Sequence, residues 1–221
     1  MLLIDADPAM GLCMALGVKM QLTIAEARQE LINSARLAQD ESDKQQMAAA
    51  LDYLMLEALM EFPEFSLMAM GRSESKGCYC SVNDLLRESI DALAQSFDYV
   101  IIDAEAGIEQ ISREVTRRVT HPVMVTDSTL RGVATALAID SALKYTSQNQ
   151  PAGIIFNRCG KPDESLLEKI GQANIPCLGC IPDDPNIARF DLEGRSLLEL
   201  PPSSKALKVL ADIFGRHSIL L

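Results

Sequence analysis

Tyr99-Val-Ile-Ile-Asp-Ala-Glu-Ala-Gly107 decides the fold. Tyr99 to Ile102 is a continuous apolar run rich in β-branched side chains. Such a run predicts a strand buried on both faces, as in the middle of a parallel sheet. It ends on a carboxylate, Asp103. In open α/β sheets ligands bind just outside the carboxyl ends of the strands, which makes Asp103 a candidate site residue. Gly107 allows backbone geometry that a β-carbon would hinder. Apolar runs that end in Asp also begin ordinary βα turns, so the stretch acquires meaning only from its surroundings.

Outward from that strand the chain alternates. Strands are predicted at Met1–Asp5, Phe65–Met70, Pro122–Thr126, Ala152–Asn157 and Cys177–Ile181. Helices are predicted from Thr23, where Thr23-Ile-Ala-Glu26 reads as a capping box, and from Ser42 or Asp43 through Met60. Further helices are predicted over Val82–Gln95, Ile111–Arg118, Leu130–Ser147 and Asp163–Ala173, and from a Ser203 cap to Arg216. Pro182 to Pro202 reads as mostly loop. Short strands alternating with longer helices predict an α/β fold, a parallel sheet with helices on both faces joined by right-handed crossovers. No linker or repeat interrupts residues 1–221, so one domain is expected.

The formal net charge is −11, which argues against nucleic acid as the main partner, since phosphate contacts need clustered Lys and Arg. No apolar stretch is long enough to span a membrane. The N-terminus has no basic segment followed by an apolar one, so no signal peptide is read and a cytoplasmic protein is expected. Six cysteines in such a chain favour metal or thiol chemistry over disulfides.

Four features fall at the carboxyl ends of predicted strands: Asp5/Asp7, Asp103 with Gly107, Asn157-Arg158 and Pro182-Asp-Asp-Pro185. A sheet of this kind brings such ends to one rim. Together these motifs resemble the MinD/nitrogenase-iron-protein class of dimeric P-loop ATPases. Within it, Gly71-Arg72, Gly77-Cys-Tyr-Cys-Ser-Val-Asn83 and Glu105-Ala-Gly107 look like the CooC-type maturation proteins of carbon monoxide dehydrogenase. The resemblance implies ATP or ADP with Mg2+ as cofactor. By it, Asp7 orients the attacking water, Asp5 lies near the magnesium water shell and Asp103 holds the magnesium. Gly107 senses the terminal phosphate. Asn157, with Arg158 beside it, contacts adenine, and the loop carrying Pro182 and Asp183 flanks the base. A homodimer and a nickel enzyme as client, carbon monoxide dehydrogenase or a relative, are implied as partners.

The sequence departs from that class in one respect. It holds no Gly-x-x-x-x-Gly-Lys-[Ser/Thr], so the amide cradle and the phosphate lysine are missing. The strand at Met1–Asp5 begins without a preceding turn, and the chain is expected to be N-terminally truncated relative to the class. As given, it is expected to bind ATP weakly and not to hydrolyse it. Two sheet arrangements are then open. The Asp103 strand pairs directly with Pro122–Thr126, or it keeps an unpaired edge.

Cys78-Tyr-Cys80 is a second candidate site. Two thiolates two residues apart on an extended loop reach one soft ion, and a two-fold dimer would complete four sulfurs around Zn2+ or Ni2+. Cys177-Leu-Gly-Cys180 lies on a strand, where residues three apart face opposite sides, so packing is expected there. Cys13 and Cys159 are likewise read as packing residues, and His121 and His217 as structural. The function expected is a CooC-like ATP-dependent metallochaperone. The alternatives are a generic MinD/ParA-type ATPase with another cargo, and a nucleotide-free interaction protein using the same rim.

Overall fold

The computed structural model describes residues 1–37, 50–51, 53–72, 88–104, 119–145 and 153–217. They form two compact units, Met1–Thr116 and Arg117–Leu221.

The first unit is built on a four-stranded sheet. Strands β1 (Leu2–Asp5), β3 (Ser66–Ala69) and β4 (Val100–Asp103) are parallel, and a short β2 (Met60–Glu61) runs antiparallel to β3. The order is β2-β3-β1-β4. β1 and β3 are buried at every position. Their alternation sorts side chains to two faces. Leu2, Ile4 and Met68 meet α2 (Ile24–Leu37), together with Leu51, Leu54, Met55 and Ile90 from helical residues 50–51, 53–57 and 88–94. Leu3, Leu67 and Ala69 meet Cys13 of α1 (Gly11–Leu16) and Phe65 on the other face. Leu22, Leu59, Met70 and Phe97 close the rim of the first cluster.

The predicted capping box is present and reciprocal. The Thr23 N–H donates to Glu26 Oε2 at 2.8 Å, and the Glu26 N–H donates to Thr23 Oγ1 at 3.3 Å. Gly71, at φ +69°, leaves no room for a side chain, because a β-carbon there would stand 2.6 Å from Thr23.

Two expectations change in this unit. The helix predicted through Met60 stops earlier, and Met60–Glu61 pairs with β3 as an antiparallel edge, so the sheet is mixed. β4 is not buried on both faces. It is the outer strand of its sheet, its burial alternates, and Ile101 is 38% exposed. Within this unit, among the described residues, β4 pairs with β1 alone. An apolar run reports β-propensity and mean burial; whether a strand is central or outer depends on partners that the run does not encode.

The second unit carries three parallel strands in the order β5 (Val123–Thr126), β6 (Gly153–Phe156), β7 (Cys177–Cys180). Ile154 and Phe156 of β6 face α3 (Leu130–Tyr145) and α4 (Glu164–Gln172) through Val133, Ala136, Leu143, Leu166 and Ile170. Ile155 and Leu178 face α6 (Lys205–His217) through Ile213. That helix lies close against the sheet: a β-carbon at Gly179 would meet the Ile213 side chain at 2.6 Å.

β7 is bulged. Ile154 pairs with Cys177 but Ile155 pairs with Gly179, so Leu178 is an extra residue. A bulge resets the alternation of faces. Cys177 and Cys180 therefore both join the cluster around Ile154 and Phe156, while Leu178 turns to the opposite face. The expectation that these two cysteines face opposite sides holds for a regular strand and fails here.

The segment read as loop holds a helix, α5 (Pro185–Leu192), and a 3-10 turn at Leu197–Glu199. Asp184 is its N-cap, accepting the Asn186 N–H at 2.9 Å, and Pro185 supplies the fixed φ of the first turn. The other oxygen of Asp184 accepts the Ser204 hydroxyl at 2.7 Å and the Ala206 N–H at 3.2 Å. One buried carboxylate thus ties the start of α5 to the start of α6. Ser204, fully buried, caps α6 in place of the expected Ser203.

Phe156 is fully buried between β6 and the two helices. Phe156→Ala is expected to cost about 3–5 kcal/mol in urea unfolding. The Ser204 hydroxyl, then the Asn186 N–H, hold the Asp184 carboxyl well below the usual carboxylate range. A depressed folded pKa gives stability that is complete above the unfolded value near 4 and is lost as pH falls below it. Asp184→Asn is expected to be less stable at pH 7 and to lose less on acidification below about pH 4. Equal acid slopes for the two proteins in denaturant titrations would contradict this.

Candidate functional site

In the first unit the parallel register pairs Asp5 with Asp103, so two carboxylates leave adjacent strands at the same end. The backbone continues that pairing for one more step, with the Ala6 N–H on the Asp103 carbonyl at 2.8 Å. Asp5 is fully buried. Its Oδ2 accepts the Cys13 N–H of α1 at 2.9 Å, and its Oδ1 accepts the Asp7 N–H at 3.2 Å. Asp5 is therefore committed to holding the turn that follows it.

Asp7 shapes the rest of that turn. Its side chain accepts the Ala9 N–H at 2.8 Å and its carbonyl accepts the Met10 N–H at 2.9 Å. Met10 takes a left-handed conformation, φ 55° and ψ 47°, immediately before α1. A non-glycine residue there is strained by about 1 kcal/mol, and such strain clusters at functional turns. Asp7 is half-buried, so its second oxygen stays available at the rim.

Asp103 titrates above the usual carboxylate range, first through partial desolvation and then through the charges of Asp5 and Asp7. The three acids therefore feel one another. Among the described residues no Lys, Arg or His forms an ion pair with any of them. Cys13 completes the arrangement. Burial, then the neighbouring Asp5 carboxylate, pushes the thiol up to about 12, so it stays protonated. This cysteine was read as packing; its link to Asp5 follows from a turn that sequence patterning does not resolve.

In the second unit Asn157, Arg158, Pro182 and Asp183 lie at the carboxyl ends of the neighbouring strands β6 and β7. The Asn157 N–H donates to the Thr126 carbonyl at 2.7 Å, and its Oδ1 accepts the Arg158 N–H at 3.0 Å. Arg158 sits at φ 50° with its side chain exposed. Of the two acids in Pro182-Asp-Asp-Pro185, Asp184 is buried and structural, while Asp183 is exposed. Beyond β5, Asp127 accepts the Thr129 hydroxyl at 2.6 Å, and a β-carbon at Gly132 would collide with Asp127 and Thr126. Gly107, Cys78 and Cys80 lie outside the described residues.

The site residues thus fall into two groups, an acidic rim of Asp5, Asp7 and Asp103 and a second rim of Asn157, Arg158, Pro182 and Asp183. Acids gathered at the carboxyl ends of the strands of an α/β sheet lie where such sheets bind their ligands. No family model matches the sequence. The chain is 34% identical over 217 residues to an uncharacterized ATP-binding protein of Methanocaldococcus jannaschii, covering 96% of this chain and 84% of that protein. It is 26% identical over 231 residues to the carbon monoxide dehydrogenase accessory protein CooC of Rhodospirillum rubrum, with coverage of 96% and 84%. Among solved structures, the cell division ATPase MinD of Pyrococcus furiosus superposes with a TM-score of 0.67 at 20% identity, over 100% of this chain and 86% of that one. A ParA family ATPase from Chlorobium tepidum gives 0.63 at 21% identity, over 96% and 82%. The chain belongs to the same family as that ATP-binding protein, and its fold is that of the MinD and ParA ATPases.

A raised folded pKa places a desolvation and like-charge cost on the folded state once pH exceeds it. Asp103→Asn is expected to raise the denaturation midpoint at pH 7. The gain should disappear below about pH 4, where the wild-type acid is protonated in both states. A midpoint that falls at pH 7 would refute the assignment.

Proposed function

We propose that this chain is the nucleotide-responsive domain of a MinD/ParA-type ATPase, with the acidic rim as its magnesium and water-handling site. The observation that carries the reading is the gathering of Asp5, Asp7 and Asp103 at and just beyond adjacent strand ends, where partial burial and then the charges of Asp5 and Asp7 raise the Asp103 carboxyl. A hard divalent cation suits that donor set, since Mg2+ takes oxygen ligands and keeps several of its waters. When bound, Mg2+ supplies neutralisation of the charge that develops on the transferred phosphoryl group. Asp103 would hold it, directly or through water. Asp7 would accept a hydrogen bond from the attacking water and so orient it. Asp5 would keep both in place by fixing the turn into α1. Gly107 would sense the terminal phosphate, Asn157 and Arg158 would contact the base, and Pro182 and Asp183 would flank it.

The 221 residues contain no Walker A motif. The reading therefore includes a dependence: phosphate binding by this polypeptide requires a phosphate loop in addition to these residues. In isothermal titration with Mg-ATP the chain alone is expected to give weak or no binding and no turnover. Fusion of a strand and Lys-Gly-Gly-x-Gly-Lys-Thr loop ahead of Met1 is expected to restore both. In that competent protein Asp7→Asn should lower turnover by about 10²-fold or more while leaving nucleotide affinity nearly unchanged. Tight binding and hydrolysis by the unmodified chain would overturn the dependence.

The finer reading is a CooC-type metallochaperone, a homodimer that carries Zn2+ or Ni2+ on Cys78 and Cys80 and serves carbon monoxide dehydrogenase or a related nickel enzyme in the cytoplasm. It is supported by the Cys78-Tyr-Cys80 motif and by the similarity to CooC along nearly the whole chain. Among the described residues no helix is long and apolar enough to cross a membrane. Metal analysis of the chain against a Cys78→Ala/Cys80→Ala variant is the test. One metal per dimer lost in the variant supports the reading, and equal metal content rejects it in favour of another cargo.

A further inference from the structure

Between the end of β1 and the first turn of α1 the chain makes a closed loop. The Cys13 N–H donates to Asp5 Oδ2 at 2.9 Å, 8 residues back along the sequence. Inside the loop the Met10 N–H donates to the Asp7 carbonyl at 2.9 Å, closing a turn with Pro8 in its second position, where the fixed φ of proline is favoured. Met10 leaves that turn in the left-handed conformation, and its carbonyl accepts the Met14 N–H at 3.1 Å as the helix starts. Among the described residues no side chain caps α1, so its direction rests on the backbone of one residue. Glycine is the residue suited to that backbone, and Gly11 stands one place later without it. The Met10 side chain is half-buried against the cluster of Cys13 and Leu67.

We propose that Met10 is a positioning residue for the acidic rim, acting through its left-handed backbone and not through its side chain. The proposal rests on the reading of Asp7 and Asp103 as the cation site. With an extended or right-handed backbone at residue 10 the loop does not close. The Cys13 N–H is then drawn off Asp5, the buried carboxylate loses one of its two amide donors, and Asp7 is no longer held where the turn places it. A buried charge short of a donor is costly, so the loop and the rim close together or open together. Residue type therefore sorts variants at this position in an order that packing does not give. Gly and Asn accept the left-handed region, whereas a β-branched side chain is a strong outlier there. A role in the apolar cluster alone gives the reverse order, in which Val keeps the site and Gly and Asn lose it.

The experiment compares the full chain with its Met10→Gly, Met10→Asn and Met10→Val variants. The first readout is the rate at which iodoacetamide alkylates Cys13, which is 3% exposed, measured by trypsin digestion and mass spectrometry. The tryptic peptide Met1–Lys19 contains Cys13 and no other cysteine, and Cys159–Lys169 reports the second unit in the same sample. Met10→Val is expected to react at Cys13 about tenfold faster than wild type, and Met10→Gly and Met10→Asn within about threefold of it, with Cys159 unchanged throughout. The second readout is the affinity for Mn2+, an oxygen-seeking stand-in for Mg2+, from loss of the free-ion electron paramagnetic resonance signal. It is expected to fall about tenfold in Met10→Val and to hold in the other two. Equal Mn2+ affinity in wild type and Asp103→Asn would reject the rim reading and this proposal with it. Affinity that depends on Asp103 but not on the residue at position 10 would overturn this proposal alone. So would tenfold faster alkylation of Cys13 in Met10→Gly or Met10→Asn, a result that decides the matter even where Met10→Val does not fold.

Discussion

The first unit depends on a buried carboxylate. Asp5 ends the central strand, is closed off from solvent, and gives its oxygens to the amides of Cys13 and Asp7. An unpaired charge at that depth would be expensive, and hydrogen bonds to charged groups are stronger than neutral ones. The strand end, the left-handed Met10 and the start of α1 are consequently one piece. The same choice sets the chemistry of the rim. Among the described residues no cation pairs with the neighbouring acids, and partial burial, then the charges of Asp5 and Asp7, make Asp103 hold its proton more tightly.

The second unit repeats the device with a different purpose. Asp184 is as deeply buried, and it serves the N-termini of two helices at once. Its position beside Asp183 separates the two acids by role: one is consumed by structure, and its neighbour is left exposed. Helix N-termini carry positive potential, so a carboxylate between two of them is favoured over the same group in water. Thr126, Asp127 and Thr129 order the strand-to-helix turn after β5 by shorter-range versions of the same bonding.

Much of this was legible in the sequence. The β/α order, the capping box at Thr23–Glu26 and the placement of Asp5, Asp7, Asp103, Asn157 and Asp183 at strand ends follow from periodicity and from which residues end each apolar run. The departures share a cause. β4 has the composition of a central strand, yet its partners make it an outer one. α1 is six residues long and opens on a strained methionine, so neither length nor a cap residue announces it. The bulge in β7 shifts register by one residue, and a run such as Cys-Leu-Gly-Cys carries no mark of that. α5 is the exception: Asp184-Pro185 is a cap followed by a first-turn proline, and the signal was present but outweighed by the three prolines nearby. The motifs containing Gly107, Cys78 and Cys80 lie in parts of the chain outside the described residues.

The outer strands have a practical corollary. Ile101 on β4 and Val125 on β5, the latter 62% exposed, sit on strands whose outward hydrogen-bonding groups have no strand beside them among the described residues. A strand margin without a neighbour is a template onto which an extended segment of suitable pattern can dock. Each is only four residues long, which limits the grip. A charged residue at Ile101 or Val125 would make docking of another extended segment on either strand less favourable.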